Sequence, residues 1–595
     1  MHFKNTEYLK EWAELNAIAL ILGIFAGLGA IVFGKMIELS KHFFGIIFQR
    51  GFQDALSIIV IPAIGGAIVG PIIYKYCSES KGHGVPEVMY AVMANKSNIR
   101  KRVAFFKTIV SSITIGSGGS AGREGPIAQI GASIGSTFGQ FFNFDEKKKR
   151  ILVVSGLSSG VAAAFNTPLG GTIFGLELIL TNFSPISVIP IALSSVISVS
   201  IARTILGPES AIKVATFTFN PAEIPFYMLL GAVMGIVSFF YIKGFYFIED
   251  SFDKIKIPFY IKPAIGGFLT GLVGFSFVGY GVLGGGFEGM NAALSGQIGL
   301  TLLILLFFAK FFATSFTLGS GASGGIFSPS LYLGAMLGGA LGIIFDNFVP
   351  NVISSPPAYA LIGMGAFFAS VAKVPLTCII MIPEMSSDYS MIPTLMLSVF
   401  VSYGISALFL GRSSIYLEKL NKKISTTKYF SKDLSDVAAM DIMTEDIISM
   451  DPDIPLKKFW DYVKKYKKLG FPVIKDGQLI GMMSNSKVKN IDSKKIPFLK
   501  VRDAMSPPIY VYPYDKVPKV LSIMDEIQCG RVLVINPSSK ETLGIITKSD
   551  ILKAYRIAKN IGDDEDKFKI SGEFEEEISH ISQKIHDKLK WPKIK

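Results

Sequence analysis

Apolar residues in this chain fall into near-continuous runs, not into the alternating or one-face patterns of soluble elements. The runs occupy 15–37, 56–74, 185–206, 225–242, 262–284, 298–318, 356–382 and 389–411. Several reach the ~20 residues that a helix needs to cross a bilayer. Glycine and proline interrupt many of them, which predicts broken or re-entrant helices rather than a plain bundle. From about residue 437 the pattern changes to short β-branched runs alternating with amphipathic stretches such as 455–468 and 517–527, as in βαβ-type units. The predicted architecture is an α-helical polytopic membrane part over 1–420, a linker at 421–436 and a soluble α/β part.

Both parts repeat internally. Pro126 and Pro329 are 203 apart, as are Gly131/Gly334, Gly135/Gly338 and Gly139/Gly342. Gly156/Gly363, Pro168/Pro375 and Glu177/Glu384 are 207 apart. Two homologous halves are predicted, roughly 15–215 and 222–420, meeting at a shared site near the bilayer midplane. In the soluble part Asp441-Ile-Met-Thr444 resembles Asp503-Ala-Met-Ser506, 62 further on, and Ile480-Gly-Met-Met-Ser484 resembles Leu543-Gly-Ile-Ile-Thr547, 63 further on. Gly470-Phe-Pro-Val-Ile474 resembles Gly530-Arg-Val-Leu-Val-Ile535 in the same way. These define units at 437–496 and 497–560. The remaining 561–595 is a charged tail, expected to be solvated.

Composition narrows the function. Half of the 595 residues are hydrophobic, 47 are Phe, and the mean hydropathy is +0.46, more apolar surface than a soluble protein of this size uses. The net charge of +13 does not imply a nucleic-acid partner. Its clusters, Arg100-Lys-Arg102 and Lys147-Lys-Lys-Arg150, adjoin apolar segments, where cytoplasmic loops carry positive charge. A multi-pass protein of the cell membrane is expected, with no secretory signal and with the N-terminus and the soluble part cytoplasmic. The three cysteines, Cys77, Cys378 and Cys529, are scattered and suggest no disulfide framework or metal cluster. No enzyme is indicated: the five histidines do not make the His-Glu-x-x-His of a membrane metalloprotease. A divalent-cation transporter needs acids converging in the membrane, whereas the turns here offer amides.

The stretch Gly116-Ser-Gly-Gly-Ser-Ala-Gly-Arg-Glu-Gly-Pro126 carries the chemistry. It is a glycine-rich turn opening a helix, with Pro126 suited to the first helical position. The first amides of such a helix have no intrahelical partner and the helix dipole adds positive charge there, so backbone alone makes an anion site. Gly131, Gly135 and Gly139 follow at four-residue spacing, a face on which another helix can pack closely. Arg123 and Glu124 stand at the mouth. Glu124 either pairs with Arg123 or caps the helix, or it competes with the anion for this site and carries a proton. The equivalent place in the second half, within Gly325-Ile-Phe-Ser-Pro329, holds Ile326 and Phe327, so the cradle is offered twice with one titratable group. Gly82-His-Gly-Val-Pro-Glu87 is a third such turn, and Tyr416 in Ser413-Ser-Ile-Tyr-Leu417 closes the last apolar segment.

These motifs, in this order, resemble the CLC family of chloride channels and proton-coupled chloride antiporters over residues 15–420. The resemblance implies a homodimer in the lipid bilayer, each subunit with its own pore between two inverted halves with broken helices, conducting chloride with or without coupled protons, and voltage-gated in some members. It gives Glu124 the role of gate and proton acceptor. His83, Gly84, Arg123, Gly125, Ile326, Phe327 and Tyr416 become the anion-binding set. No cofactor is required for this activity.

Two positions depart from the family pattern. The family's central serine is His83 here, which either donates a hydrogen bond to the anion or points away and leaves Gly84 and neighbouring amides to serve it. The inner acid of many proton-coupled members falls at Leu178, one residue after Glu177. The simpler expectation is passive anion conduction gated by Glu124, with proton exchange through His83 as the alternative. The soluble repeats are similar to a tandem pair of cystathionine-β-synthase (CBS) domains, a regulatory module. In such modules Thr547 and Asp550, of Thr547-Lys-Ser-Asp550, would meet the ribose of an adenine nucleotide. The first repeat has Ser484-Asn-Ser-Lys487 and lacks that acid; a purely structural, dimer-reinforcing pair is the other reading.

Overall fold

The structure is a computed structural model. It describes residues 2–51, 55–181, 183–207, 212, 220–350, 352–411, 413–420, 434, 437–445, 447–466, 470–484, 488, 491, 496–526, 530–547, 550, 551 and 554. The linker at 421–436 apart from Leu434, residues 485–487, Cys529 and the tail at 561–595 lie outside the described residues. The chain divides into two compact units, 1–421 and 422–595.

The first unit is helical. Its first half runs α1 (His2–Gly51), α2 (Ala55–Tyr76), α3 (Val85–Ala94), α4 (Arg102–Gly116), α5 (Glu124–Phe141), α6 (Glu146–Phe165), α7 (Pro168–Gly175) and α8 (Pro185–Leu206). The second half repeats the order: α9 (Ile224–Lys254), α10 (Lys262–Gly274), α11 (Phe287–Leu294), α12 (Leu300–Gly319), α13 (Phe327–Phe348), α14 (Pro356–Ala372), α15 (Pro375–Ser386) and α16 (Ile392–Leu410). Among the described residues, seven helical segments are long and apolar enough to cross a membrane. The offset of the repeat grows from 203 to 207 because α13, with 22 residues, runs about one turn longer than α5, with 18.

Apolar runs and helices part company at three places. The run at 262–284 is not one helix: α10 stops at Gly274, and Gly279, Gly281, Gly284 and Gly286 then take positive φ. The run at 356–382 is two helices, parted at Lys373 (φ 61°) and Val374 ahead of Pro375. Phe327–Phe348 is a candidate span that no apolar run announced, because the glycines that pack it also dilute its hydropathy.

Small residues let helices touch through backbone. A Cβ on Gly131 would lie 2.0 Å from the Gly156 carbonyl, and one on Gly135 2.1 Å from that of Leu152, which fixes α5 on α6. Gly334 against Gly363 (2.5 Å) and Gly338 against Tyr359 (2.2 Å) do the same for α13 on α14. Such contact is the membrane substitute for a hydrophobic driving force, since lipid tails are as apolar as leucine.

The second unit contains two small sheets. β1 (Gly470–Lys475) pairs antiparallel with β2 (Gln478–Ser484). β3 (Tyr510–Val511) lies parallel to β4 (Arg531–Ile535), which is antiparallel to β5 (Thr542–Thr547). Both hairpins shift register at the same step, Val473/Ile474 and Val534/Ile535, a structural signature of the repeat. Helices Phe459–Tyr466 and Val517–Glu526 pack on them. The leading segments are exchanged between the repeats. Ala439, Ile442 and Met443 pack in the core of the second sheet, and Val501, Ala504 and Met505 in that of the first. Thr444 exchanges backbone hydrogen bonds with Ile545 (2.9 and 3.0 Å), and Ser506 with Met482 (2.8 and 2.9 Å).

Candidate functional site

The two halves are tied backbone to backbone at their glycine turns. Gly122 N donates to Gly325 O at 2.8 Å and Gly325 N to Gly122 O at 2.7 Å, an antiparallel bridge just ahead of α5 and α13. Around it, contacts recur at the sequence offset. Gly324 N donates to Gly82 O (3.3 Å) and Ala121 N to Gly284 O (3.2 Å). Ser111 Oγ meets Ser323 Oγ at 2.8 Å, and Ser120 Oγ meets Thr314 Oγ1 at 3.0 Å. The shared site expected between the halves is therefore a hydrogen-bonded seam that brings two helix N-termini face to face.

In α5 the first intrahelical bond runs from Ile127 N to Arg123 O (3.0 Å), and in α13 from Ser330 N to Ile326 O (2.9 Å). The amides of Glu124 and Gly125, and of Ile326, Phe327 and Ser328, stand ahead of these ladders. Both dipoles point their positive ends at the same small volume. The Glu124 carboxylate, buried at 2 % exposure, lies in it. Its Oε1 accepts the Ser328 hydroxyl, and its Oε2 accepts the Ser328 amide at 3.3 Å. A Cβ on Gly122 would lie 2.1 Å from that Oε2, so only glycine leaves the carboxylate its seat.

The other expected residues fall as follows. Arg123 does not pair with Glu124: its Nη2 donates to Ala164 O at 2.7 Å and its guanidinium lies 5.6 Å from the centre of the Phe287 ring. It faces two cavities, of about 180 and 350 Å³. Gly82 and Gly84 take φ of 67° and 84°, which turns the chain sharply on both sides of His83. Gly84 abuts the Gly125 carbonyl, and the His83 carbonyl abuts Gly125 in turn. The His83 ring is buried edge-on against Phe245, with its Nδ1 unpartnered. Tyr416 is buried at 1 % exposure, within electrostatic reach of Glu124. In the second unit Thr547 and Asp550 form a local cap: Asp550 Oδ2 accepts Thr547 N and Oγ1, both at 2.7 Å.

Sequence reasoning did not name several neighbours. Phe327 is enclosed by Phe165, Phe174 and Phe368, with ring centres 5.0, 5.9 and 4.2 Å away. This apolar collar lowers the local dielectric beside the seam, which strengthens electrostatics inside it. Lys107 and Lys310 are fully buried. Lys107 donates to Ser80 O and Gly82 O (3.0 and 2.8 Å), and Lys310 to Gly281, Val282 and Gly284 O (2.9, 3.2 and 2.9 Å). Each clamps the turn that leads into the short helix, α3 or α11. They too are 203 apart, so the repeat arithmetic could have found them. Two buried lysines therefore brace the backbone beside the seam of amides.

Glu177 and Glu384 cap each other's half. Glu177 accepts Leu376 N, Thr377 N and Thr377 Oγ1 at 3.0, 2.8 and 2.7 Å, at the start of α15. Glu384 accepts Leu169 N and Gly170 N at 3.1 and 2.7 Å, at the start of α7. Leu178 is buried beside Glu177 and offers no carboxylate.

The family profile "Voltage gated chloride channel" matches residues 65–407. The chain belongs to the voltage gated chloride channel family. Its function class is anion transport across a membrane. Two CBS domains match at 438–491 and 501–557. Over 436 residues the chain is 30% identical to the H(+)/Cl(-) exchange transporter ClcA of Vibrio parahaemolyticus, covering 70% of this chain and 91% of that protein. It is 31% identical over 424 residues to chloride channel protein CLC-f of Arabidopsis thaliana, covering 65% of this chain and 53% of that longer protein. Among solved structures, a slow cyanobacterial Cl−/H+ antiporter is similar at a TM-score of 0.62 and 25% identity, covering 70% of this chain and 98% of the other. A eukaryotic CLC transporter matches in fold at a TM-score of 0.64 and 20% identity, over 91% of this chain and 98% of the other.

Proposed function

We propose that the chain carries chloride across the membrane along the seam between its halves, with the Glu124 carboxylate as a movable occupant of the outer anion position. The observation that carries this reading is the seat of that carboxylate on the first turn of α13, held by an amide and a hydroxyl. A group held there stands in for an anion at a helix N-terminus. Protonation removes its charge and a competing anion displaces it; either event frees the position. Gly125, Ile326 and Phe327 supply amides to the passing anion, Gly84 and His83 line the turn beneath it, and Tyr416 supplies a hydroxyl. Arg123 acts by its field from the cavities beyond.

Coupled exchange of protons, the second reading of the sequence, is preferred here over passive conduction. The Vibrio and cyanobacterial proteins, matched over most of their own length, are named as exchangers. The working form is a homodimer with the N-terminus and the CBS pair in the cytoplasm. The CBS pair takes an adenine nucleotide at Thr547 and Asp550, where the free lone pairs of Asp550 meet the ribose.

The test is the reversal potential of currents from the reconstituted chain under imposed chloride and proton gradients. Exchange makes that potential respond to both gradients. A potential set by chloride alone would restore the passive reading, and no chloride current would remove both.

A further inference from the structure

A proton exchanged for chloride must reach Glu124 from the inner side. Leu178 cannot carry it, and all three donors around Glu177 commit that carboxylate to capping α15. A different buried carboxylate is placed for the task. Glu249, on α9, is 2 % exposed. One oxygen, Oε1, pairs with Lys419 Nζ, while Oε2 is buried with no hydrogen-bond partner. Lys419 keeps 24% of its side chain exposed, near the end of the membrane unit. The pair therefore reaches from solvent into the protein.

Phe245, four residues before Glu249, lies on the same face of α9 one turn further in. Its ring meets the His83 imidazole edge-on, with centres 5.3 Å apart at 87°. His83 is 3 % exposed and its Nδ1 is a second buried, unpartnered polar atom. Its carbonyl touches Gly125, the residue after Glu124. Two titratable groups, each with one buried unpartnered polar atom, thus lie in sequence between the partly exposed Lys419 and the gate.

We propose that Glu249 and His83 form the inner proton route of this transporter, in place of the acid absent at position 178. The proposal rests on the exchange reading above. Glu249 takes a proton from cytoplasmic water when Lys419 swings off it, and passes it on through water to the lone-pair nitrogen of the neutral imidazole. The ring releases the proton on its other nitrogen, through water, to the Glu124 carboxylate, so one proton enters for each that leaves. The charged and titratable groups around Glu249 are Lys419 and Glu418 from the segment 415–420, Asp253 and Tyr246 on its own helix, Lys262 at the start of α10, and Lys81 ahead of α3. Lys107 and Lys419 act on His83.

The experiment is uphill proton uptake into proteoliposomes containing the full chain, driven by a chloride gradient, with proton and chloride movement recorded together. Wild type is expected to pump. Glu249→Gln should lower the ratio of protons to chloride by about a hundredfold, the usual scale for losing a proton-transfer group, and Glu249→Asp should restore most of it. Lys419→Met breaks the same ion pair but keeps the acid, so coupled pumping should persist; a merely structural pair would make it behave like Glu249→Gln. Where Glu249→Gln does not fold, Glu249→Gln/Lys419→Met, which removes both charges together, carries the same expectation. Wild type that passes chloride without pumping overturns the exchange reading and this route with it. Pumping in wild type that persists in Glu249→Gln at an unchanged ratio overturns the route alone.

Discussion

Ser328→Ala isolates the hold on the gate. The Ser328 hydroxyl donates to Glu124 Oε1 and its amide donates to Oε2 at 3.3 Å; alanine removes the first and keeps the second. A buried hydrogen bond to an ionised group is worth roughly 1.5–3 kcal/mol. Part of that is recovered when the carboxylate leaves and the hydroxyl turns to water or a passing anion. A net loss of about 1–1.5 kcal/mol then remains for the seated state, which shifts the release equilibrium by about five- to tenfold. Chloride efflux from proteoliposomes at neutral pH should rise towards that factor, at equal protein and equal gradient. The same substitution made in Glu124→Gln should change efflux little, because the carboxylate it acts on is gone. No rise in the single variant, or an equal rise in both backgrounds, would refute a gate held by Ser328.

Other consequences concern packing, caps and regulation. Gly131→Ala places a Cβ 2.0 Å from the Gly156 carbonyl, while Gly334→Ala has 2.5 Å to that of Gly363; both should lower thermal stability in detergent, by about 1–3 kcal/mol, with Gly131→Ala the worse. Glu177→Ala should cost roughly 1–2 kcal/mol, as a lost helix cap does, seen as a lower melting temperature with the ratio of protons to chloride intact. Calorimetry of the full chain with ATP, ADP and AMP should detect binding that Asp550→Asn weakens by about tenfold, since the amide keeps the cap but loses the charge; binding unaffected by Asp550→Asn would place the nucleotide elsewhere.

Much of this was legible in the sequence because it lies in spacing. The 203-residue offset predicted two halves, and Gly122 and Gly325, which keep that offset, bridge them at the seam. Glu124 stood out because its counterpart is Phe327, an apolar residue at an equivalent turn. The reciprocal caps were half visible: the 207-residue spacing marked Glu177 and Glu384 as equivalent positions, but not that each carboxylate serves the opposite half. Ser328 was hidden, because nothing in the Gly325–Pro329 turn says which residue faces Glu124 across the seam. Lys107 and Lys310 were passed over although they keep the offset, because a lone lysine in an apolar stretch reads as a membrane-edge residue until its carbonyl partners are seen. Glu249 and Lys419 are 170 residues apart, and only the fold brings them together. The runs at 262–284 and 356–382 break at glycine and proline, as their punctuation predicts, while the span at 327–348 was hidden because packing glycines dilute its hydropathy.

The central claim is that the Glu124 carboxylate occupies the anion position and leaves it on protonation. Chloride efflux measured across external pH, in wild type and in Glu124→Gln, tests it most directly. A seated carboxylate blocks and a protonated one does not, so wild-type efflux should rise as the external solution is acidified. Glu124→Gln, neutral at every pH, should run fast throughout with most of that dependence gone and no coupled proton movement. A wild-type pH dependence that survives unchanged in Glu124→Gln would contradict the account and place the gate elsewhere.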